Sequence, residues 1–504
     1  MVMGIKQIFI DSFAAISSLS YWKKYFLLIA VSFACYFPLF SGYALSHDEQ
    51  WTLLMVGKPL TEMMRIIVSD DGNPPLYYLY QRLWYVLDAG SYNVFWVRVA
   101  NFAVLIMTTL LGVFPIRRLY GDKISLLFCL LVFIMPSSQY LVTDIRGYAL
   151  SGMLVLGVMV YALSIVNRKN NSDWFWLFLF TELGIYNHYY CGLWDILIWF
   201  CLFVILVKQQ EYKSIGKMLL CGILVCLFYF PWLVIFVEQY ADMKAAWYPN
   251  MINVENAGWA FFFCFRDTHI FYVILACYLW TLILEFWVEK RVKMTEKTTV
   301  KMFLSVCFLF YVISVLISIF MRPVLVGRYI YMFAPMFFLC SAIALLYFRK
   351  YLKLLPLVML PAFICSYQTN YDEMQDKVWE NLREYAAKNI SANSLIIVNF
   401  TFEHISTRFY LPEYKYAYAP IEKTLVLLQD EVKENQKNLK NLNEYDEIYY
   451  YRTIHKKGVH QPDVGCQFIV APSRQAMGCL SKITPDVAEK ILQRGTAILE
   501  ESYH

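Results

Sequence analysis

The acidic segment at 46–49 (SHDE) contains the side chains best suited to catalysis. Ser46 followed by Glu49 fits a capping box, which predicts that a helix begins here. Asp48 then lies in the first helical turn, where free N–H groups and the helix dipole favour an ionised carboxylate. Such a carboxylate can remove the proton of a hydroxyl group, so we predict that Asp48 is a general base. The alternative is that Asp48 only charges the helix start. The capping box explains the presence of Glu49, and the alternative role of Glu49 is contact with substrate.

Three further segments place polar side chains between long apolar runs. Asp144 and Arg146 lie at 140–150 (YLVTDIRGYAL), His188 lies in the segment YNHYY, and Arg328 lies in the segment GRY. An interfacial ion pair also explains Asp144 and Arg146, and an interfacial aromatic belt also explains the surroundings of His188. Arginine grips phosphate oxygens through its planar fork. These arginines therefore indicate a lipid-borne ligand that carries phosphate.

The composition of the chain is that of a membrane protein. Of its 504 residues, 59% are hydrophobic and 16% are charged, whereas soluble domains have roughly 25% charged residues. The net charge of +5 is too balanced for a nucleic-acid binder. Because about 20 apolar residues cross a bilayer, the sequence predicts about eleven spans. They lie near 25–45, 93–115, 124–142, 148–166, 174–190, 192–207, 216–237, 270–288, 302–321, 329–348 and 354–368.

Basic residues predict the orientation of these spans. Clusters beginning at Lys23, Arg117, Arg168, Lys208, Lys290 and Arg349 occupy every second connection. By the positive-inside rule the N-terminus is cytoplasmic. We therefore expect a cytoplasmic interfacial helix in 1–24, a transmembrane domain in 25–369 with a long first outer loop at 46–92, and an extracytoplasmic domain in 370–504. The C-terminal residues lack an obvious eukaryotic retention signal, which favours a bacterial inner membrane.

The polar tail predicts a small α/β domain. Helical spacing covers 371–388, 425–442 and 484–494, and strand-like segments cover 395–400, 447–452 and 467–470. Cys466 and Cys479 either form a disulfide or remain free, since spacing alone does not fix their geometry. The tail contains neither a Gly-rich phosphate loop nor zinc-type Cys/His spacing. We expect it to cover or shape a site and to tune the choice of acceptor.

Six short motifs together resemble the GT-C superfamily of polytopic glycosyltransferases. More narrowly, the chain is similar to the dolichyl-phosphate-mannose protein mannosyltransferases and to their bacterial relatives that transfer aminoarabinose or lipopolysaccharide-core sugars. The resemblance covers roughly residues 25–350. The motifs are Asp48-Glu49, 73–78 (NPPLYY), Arg98, 146–150 (RGYAL), 187–190 (NHYY), and 327–329 (GRY) with Pro335.

The resemblance implies a membrane helix bundle with surface helices in the first outer loop and an active site on the outer face. A sugar moves from a polyprenyl-phosphate donor to a lipid, glycan or protein acceptor, with inversion. Asp48 is the implied base and Asp144 a second catalytic carboxylate that orients the acceptor. Arg328 and Arg146 hold the donor phosphate, and His188, Tyr148, Tyr78 and Glu49 contact substrate.

One departure from the family bears on metals. Many relatives have His where this chain has Asn73, and Asn is a poor ligand for zinc. The sequence therefore establishes no cofactor, and it disfavours a divalent metal without excluding one. If a divalent ion binds, the candidate ligands are Asp70, Asp71, His188 and His269.

Three other functions compete with the transferase. A flippase for lipid-linked sugars would share the helices and arginines, but transporters place polar residues on broken, repeated helices near the midplane. The predicted spans are nearly free of acids and bases, which favours the transferase. A ligase or polymerase typically has its large loop late in the chain. An inactive scaffold relative is disfavoured because Asp48, Arg146 and Arg328 are all present.

Overall fold

The computed structural model describes most of the helical part of the chain and parts of the tail. The described residues are 16, 18–42, 45–87, 94–243, 270–320, 329, 331–352, 354–375, 378–398, 407, 410–411, 413–418, 439–455, 468–470, 476–489 and 491. They belong to two compact units. The first unit comprises residues 1–41, 73–88 and 93–371, and the second comprises 42–72, 89–92 and 372–504.

The first unit is a helical bundle. Its helices are α1 (Tyr21–Phe40), α4 (Leu76–Leu87), α5 (Val94–Leu111), α6 (Arg117–Tyr120), α7 (Asp122–Ile134), α8 (Pro136–Thr143), α9 (Tyr148–Arg168), α10 (Ser172–Asn187), α11 (Tyr189–Lys208), α12 (Tyr212–Met243), α13 (Ile270–Glu285), α14 (Met294–Phe320), α15 (Ala334–Tyr347), α16 (Arg349–Leu352) and α17 (Leu355–Met374). A π-helical segment at Gly112–Ile116 joins α5 to α6, and a 3₁₀ turn at Tyr331–Phe333 precedes α15.

The central element of the bundle is α9. Its apolar window is entirely buried, and it packs against α5, α10, α11 and α15. Gly157 allows the close approach of α10, because a Cβ at this position would lie 2.3 Å from a ring carbon of Phe180. A helix buried on all sides in this way positions the residues at its N-terminus rigidly.

Two predicted spans are interrupted. The run at 124–142 bends by 57° between α7 and α8, since Met135 precedes a proline and adopts an extended conformation. The run at 174–190 crosses His188, whose φ of −160° and ψ of 135° end α10 and begin α11. The break at Met135 was not predicted, whereas His188 lies in the segment YNHYY that was expected between two apolar runs.

The structure confirms a multi-pass membrane protein but not the count of about eleven spans. Each predicted run falls on a helix, yet within the described residues only six helices are long and apolar enough to cross a membrane. The pair α7 and α8 makes a seventh if it forms one span. α10 has 16 residues and α15 has 14, which is short of the roughly 20 needed. Most of the predicted interfacial helix in 1–24 lies outside the described residues, and α1 already begins at Tyr21.

The second unit contains two helices of the first outer loop and a small α/β fold. The loop helices are α2 (His47–Gly57) and α3 (Leu60–Asp70). In the tail, α18 (Val378–Asn389) precedes β1 (Ser394–Val398), β2 (Lys415–Tyr418), β3 (Glu447–His455), β4 (Phe468–Val470) and β5 (Ala476–Ile483). The strand order is β2-β1-β3-β5-β4, with β1 parallel to both β2 and β3, and β5 antiparallel to β3 and β4.

The small sheet confirms the α/β character predicted for the tail. The three predicted strands correspond to β1, β3 and β4, whereas the sequence analysis overlooked β2 and β5. Apolar residues alternate between two small cores, with Ile396 and Val398 on one face of β1 and Leu395 and Ile397 on the other. Cys466 and most of the helix predicted at 425–442 lie outside the described residues.

Candidate functional site

A concavity in the first unit brings four predicted site residues together. It is partly open to solvent. Arg146, Tyr148, His188 and Tyr78 all line it. The other lining residues are Asn73, Pro74, Tyr77, Gly147 and Asn187. Residues from three separate sequence motifs therefore meet at one place.

The loop between α8 and α9 carries Arg146 into this concavity. Its backbone is held by Asn101 of α5, whose side-chain Nδ2 donates to the carbonyl oxygen of Asp144 at 2.6 Å. Asn101 Oδ1 in turn accepts hydrogen bonds from Tyr77 and Gln81 of α4, both at 3.0 Å. Because these three side chains are buried, the network fixes the loop backbone beside α4. Asp144 itself is also buried.

Gly147 permits close packing around the loop. A Cβ at this position would lie 3.3 Å from both the Asn187 side-chain nitrogen and Tyr77 Cβ. Asn187 at the end of α10 donates to the Gly147 carbonyl oxygen at 3.0 Å. This hydrogen bond links the N-terminus of α9 to α10. It fixes the backbone next to Arg146, whose side chain is half-buried.

His188 is held by its own helix end and by aromatic rings. Its Nδ1 accepts the backbone N–H of Tyr190 at 3.2 Å, and the side chain thus caps α11. An accepting Nδ1 leaves Nε2 to carry the proton of a neutral imidazole. The ring lies 5.7 Å from Tyr148 and 5.2 Å from Tyr329, centroid to centroid.

The position of Tyr329 bears on Arg328. Arg328 lies outside the described residues, so its predicted phosphate contact stays a prediction. Tyr329 is its neighbour in sequence and packs on Tyr190, with 4.5 Å between ring centroids. Tyr329 also contacts Tyr148, which lines the concavity.

Asp48 and Glu49 belong to the second unit. The predicted capping box is confirmed: Ser46 accepts the Glu49 N–H, and Glu49 Oε2 accepts the Ser46 N–H at 2.6 Å. Asp48 is half-buried in the first turn of α2. In the same unit Trp51 Nε1 donates to Asp71 at 2.8 Å, which gives Asp71 a structural role in its turn.

Sequence reasoning overlooked two acids within apolar helices. Asp195 of α11 is 1% exposed, and neither of its carboxyl oxygens has a hydrogen-bond partner among the described residues. Glu182 of α10 likewise has two buried carboxyl oxygens with no partner in the described part of the chain. An acid within an apolar run was the available signal, since such residues are costly and usually functional.

The described ranges contain no group of three or more His, Cys, Asp or Glu side chains arranged to hold an ion. His269, one of the four candidate ligands, lies outside these ranges.

Comparison with known proteins identifies the fold. No protein-family model matches the chain, and neither does any curated protein sequence. Among solved structures, the chain is similar to ArnT from Cupriavidus metallidurans in the apo state, with a TM-score of 0.60 and 12% sequence identity. The match covers 90% of this chain and 97% of ArnT. The same protein bound to undecaprenyl phosphate matches over the same shares with a TM-score of 0.55 and 12% identity.

The chain therefore shares the fold of ArnT, which is the GT-C fold expected from the motifs. At 12% identity the similarity defines the architecture, and the chemistry has to be argued from the residues of this chain.

Proposed function

We propose that this protein is an integral membrane glycosyltransferase. It moves a sugar from a polyprenyl-phosphate donor to a hydroxyl group of a lipid, glycan or protein acceptor. The observation that carries the proposal is the concavity in which Arg146 lies among Tyr78, Tyr148 and His188. One guanidinium surrounded by aromatic and hydrogen-bonding groups suits a singly charged phosphodiester linked to a sugar.

The fold supports the same donor class. ArnT shares the architecture across nearly its whole length and has been crystallised with undecaprenyl phosphate. We infer that a lipid of the same chemical class enters the bundle of this chain from the membrane. Following the positive-inside pattern, the N-terminus is cytoplasmic and the reaction takes place on the periplasmic face of the inner membrane.

The reaction is a direct displacement at the anomeric carbon. Asp48 accepts the proton of the acceptor hydroxyl as the hydroxyl oxygen forms its bond to that carbon. The bond between the anomeric carbon and the phosphate oxygen breaks, and its electron pair leaves with polyprenyl phosphate. Attack from the opposite side inverts the anomeric configuration. Asp144 orients the acceptor.

Charge on the leaving phosphate grows during this step. A phosphodiester carries one negative charge, whereas the released phosphate monoester carries nearly two. Arg146, together with Arg328, therefore interacts more strongly with the transition state than with the bound donor. Fixing Arg146 through the Asn101 network limits the reorganisation needed as the charge develops.

The test is donor consumption by purified protein in lipid nanodiscs. Undecaprenyl-phosphate-linked sugars are supplied with an envelope extract as the source of acceptors, and Asp48→Asn is assayed in parallel. We expect turnover of one donor by the natural protein and a loss of at least about 1,000-fold in the variant. Binding of donor should persist in the variant. Near-normal turnover by Asp48→Asn would show that another group is the base.

A flippase for lipid-linked sugars is the second candidate. Asp195 favours it, because buried ionisable residues in membrane helices often mark transport pathways. The same nanodisc experiment separates the two functions. A flippase binds donors and leaves them intact even when acceptors are present, as does a scaffold protein.

A further inference from the structure

Asn187 occupies a defined place in the wall of the concavity. It ends α10, lines the concavity beside Arg146 and His188, and is 2% exposed. Its Nδ2 donates to the carbonyl oxygen of Gly147 at 3.0 Å and to the hydroxyl of Ser151 at 2.7 Å. Both hydrogens of the amide are thereby used within the protein.

The oxygen of the same amide has no hydrogen-bond partner among the described residues. Its identity as oxygen follows from the partners of the nitrogen. The Gly147 carbonyl can only accept a hydrogen bond, so a flipped amide would place two oxygens against each other. A buried amide oxygen without a partner is costly, and a donor from a bound ligand would satisfy it.

The side chains that line the concavity limit which ligand group can donate a hydrogen bond to Asn187 Oδ1. Its described lining contains one charged side chain, the guanidinium of Arg146, and no carboxylate. In a neutral His188 the N–H is on Nε2, because Nδ1 accepts from Tyr190. Asn187 thus brings an unpartnered acceptor to a concavity that Arg146 also lines, which suits a neutral hydroxyl better than an ammonium group.

We infer that Asn187 determines sugar specificity by accepting a hydrogen bond from one hydroxyl of the transferred sugar. The substrate class is an uncharged sugar on polyprenyl phosphate with a free hydroxyl at that position. The inference rests on the proposed function, since the sugar is placed by the phosphate held at Arg146.

The first experiment uses the natural protein and modified donors. Undecaprenyl-phosphate-linked glucose, galactose, mannose and arabinose are compared, and the donor consumed fastest is remade with each free hydroxyl replaced by hydrogen or by fluorine. At one position both analogues should lose about 10- to 100-fold in kcat/KM. Fluorine cannot donate a hydrogen bond, so equal losses identify the sugar hydroxyl as the donor.

The second experiment asks whether Asn187 is the partner of that hydroxyl. In Asn187→Ala, replacing the hydroxyl at that one position should lower kcat/KM by no more than about 3-fold relative to the unmodified donor. The losses of kcat/KM at the other positions should stay unchanged. Ser151→Ala is the matched control, because it removes one partner of Asn187 and keeps the accepting oxygen. In Ser151→Ala, the loss of kcat/KM on replacing the hydroxyl at that one position should persist. If Asn187 were purely structural, every donor would lose the same factor in Asn187→Ala, and the ratios would not move.

The outcomes separate the inference from the proposed function. Consumption of a donor without any position that loses more than about 3-fold would overturn the role of Asn187 and leave the transferase intact. This result needs no variant, so it stands even if Asn187→Ala fails to fold, and Asn187→Ser provides a second substitution. If none of the four donors is consumed, both the proposed function and the inference fail.

Discussion

Replacing Arg146 tests the donor site most directly. Arg146→Gln removes the positive charge and the planar fork but keeps a polar side chain of similar reach. Asn101 and Asn187 hydrogen-bond to the loop backbone at Asp144 and Gly147, so the fold should persist. The change therefore perturbs the electrostatics of the concavity with little effect on its walls.

The magnitude follows from the contact that is lost. A hydrogen bond to a charged partner contributes about 1.5–3 kcal/mol, which corresponds to roughly 10- to 150-fold in rate or affinity. Arg146 is half-buried, and solvent screening places the expected loss in the lower part of that range. We expect kcat/KM for the donor to fall by about 10- to 50-fold. Both constants should change, because the phosphate is charged in the bound donor and more charged as it leaves.

The assay is steady-state donor consumption in nanodiscs, with two companion variants. Arg146→Lys keeps the charge but loses the fork, and it should recover part of the activity. Arg117→Gln removes an arginine whose guanidinium bonds to Asp122 at 2.6 Å in a different connection, and it should change kcat/KM by less than about 2-fold. Unchanged kinetics in Arg146→Gln, with Asp48→Asn inactive, would refute the assignment of the phosphate to this concavity.

Two further predictions concern Arg328 and the tail. Arg328→Ala should weaken donor binding or turnover by about 10-fold or more, as measured by the same assay, and unchanged kinetics would place the phosphate away from this residue. Lys482 Nζ donates a hydrogen bond to Glu447 Oε1 at 2.5 Å, and the Ser391 N–H donates to Glu447 Oε2. Both hydrogen bonds hold the pKa of Glu447 below its usual range. The resulting stability is fully present above the unfolded Glu pKa of about 4.3 and is lost as pH falls through the lower folded pKa. Glu447→Gln should therefore cost about 1 kcal/mol near neutral pH, seen as faster hydrogen exchange in β3 and β5. The difference from the natural protein should narrow in acid, and Glu384→Gln in an exposed pair should have no comparable effect.

Much of the bundle and the grouping of the site followed from sequence patterns. Apolar runs fell on helices because hydrocarbon demands internal hydrogen bonding of the backbone, which leaves few alternatives. Arg146 and His188 were singled out as polar residues at the ends of such runs, and the structure brings them to one concavity. The relation of Asp48 to that concavity remains a prediction, because its helix belongs to the other unit.

Local patterns were weaker guides where tertiary contacts decide the structure. The segment of β5 (AMGCLSKI) is not rich in β-branched or aromatic residues, yet it pairs with both β3 and β4. Strand preference reflects packing on neighbouring strands more than intrinsic propensity, and a single sequence does not show those neighbours. The bend of 57° between α7 and α8 was likewise not predicted, because the sequence shows the proline at 136 but not the angle between the helices that it separates.

The same limit applies to buried polar groups, as two acids of adjacent helices illustrate. Asp173 and Asp195 are each 1% exposed, and both occur in aromatic-rich apolar surroundings in the sequence. Asp173 accepts a hydrogen bond from Ser164 at 2.7 Å and has a structural explanation in its helix start. Asp195 has no such partner among the described residues. Its burial is explained if the carboxyl group binds a ligand, carries a proton or has a partner in a second conformation. Partners in space, and not residue types in sequence, therefore distinguish a structural acid from a functional one in this bundle.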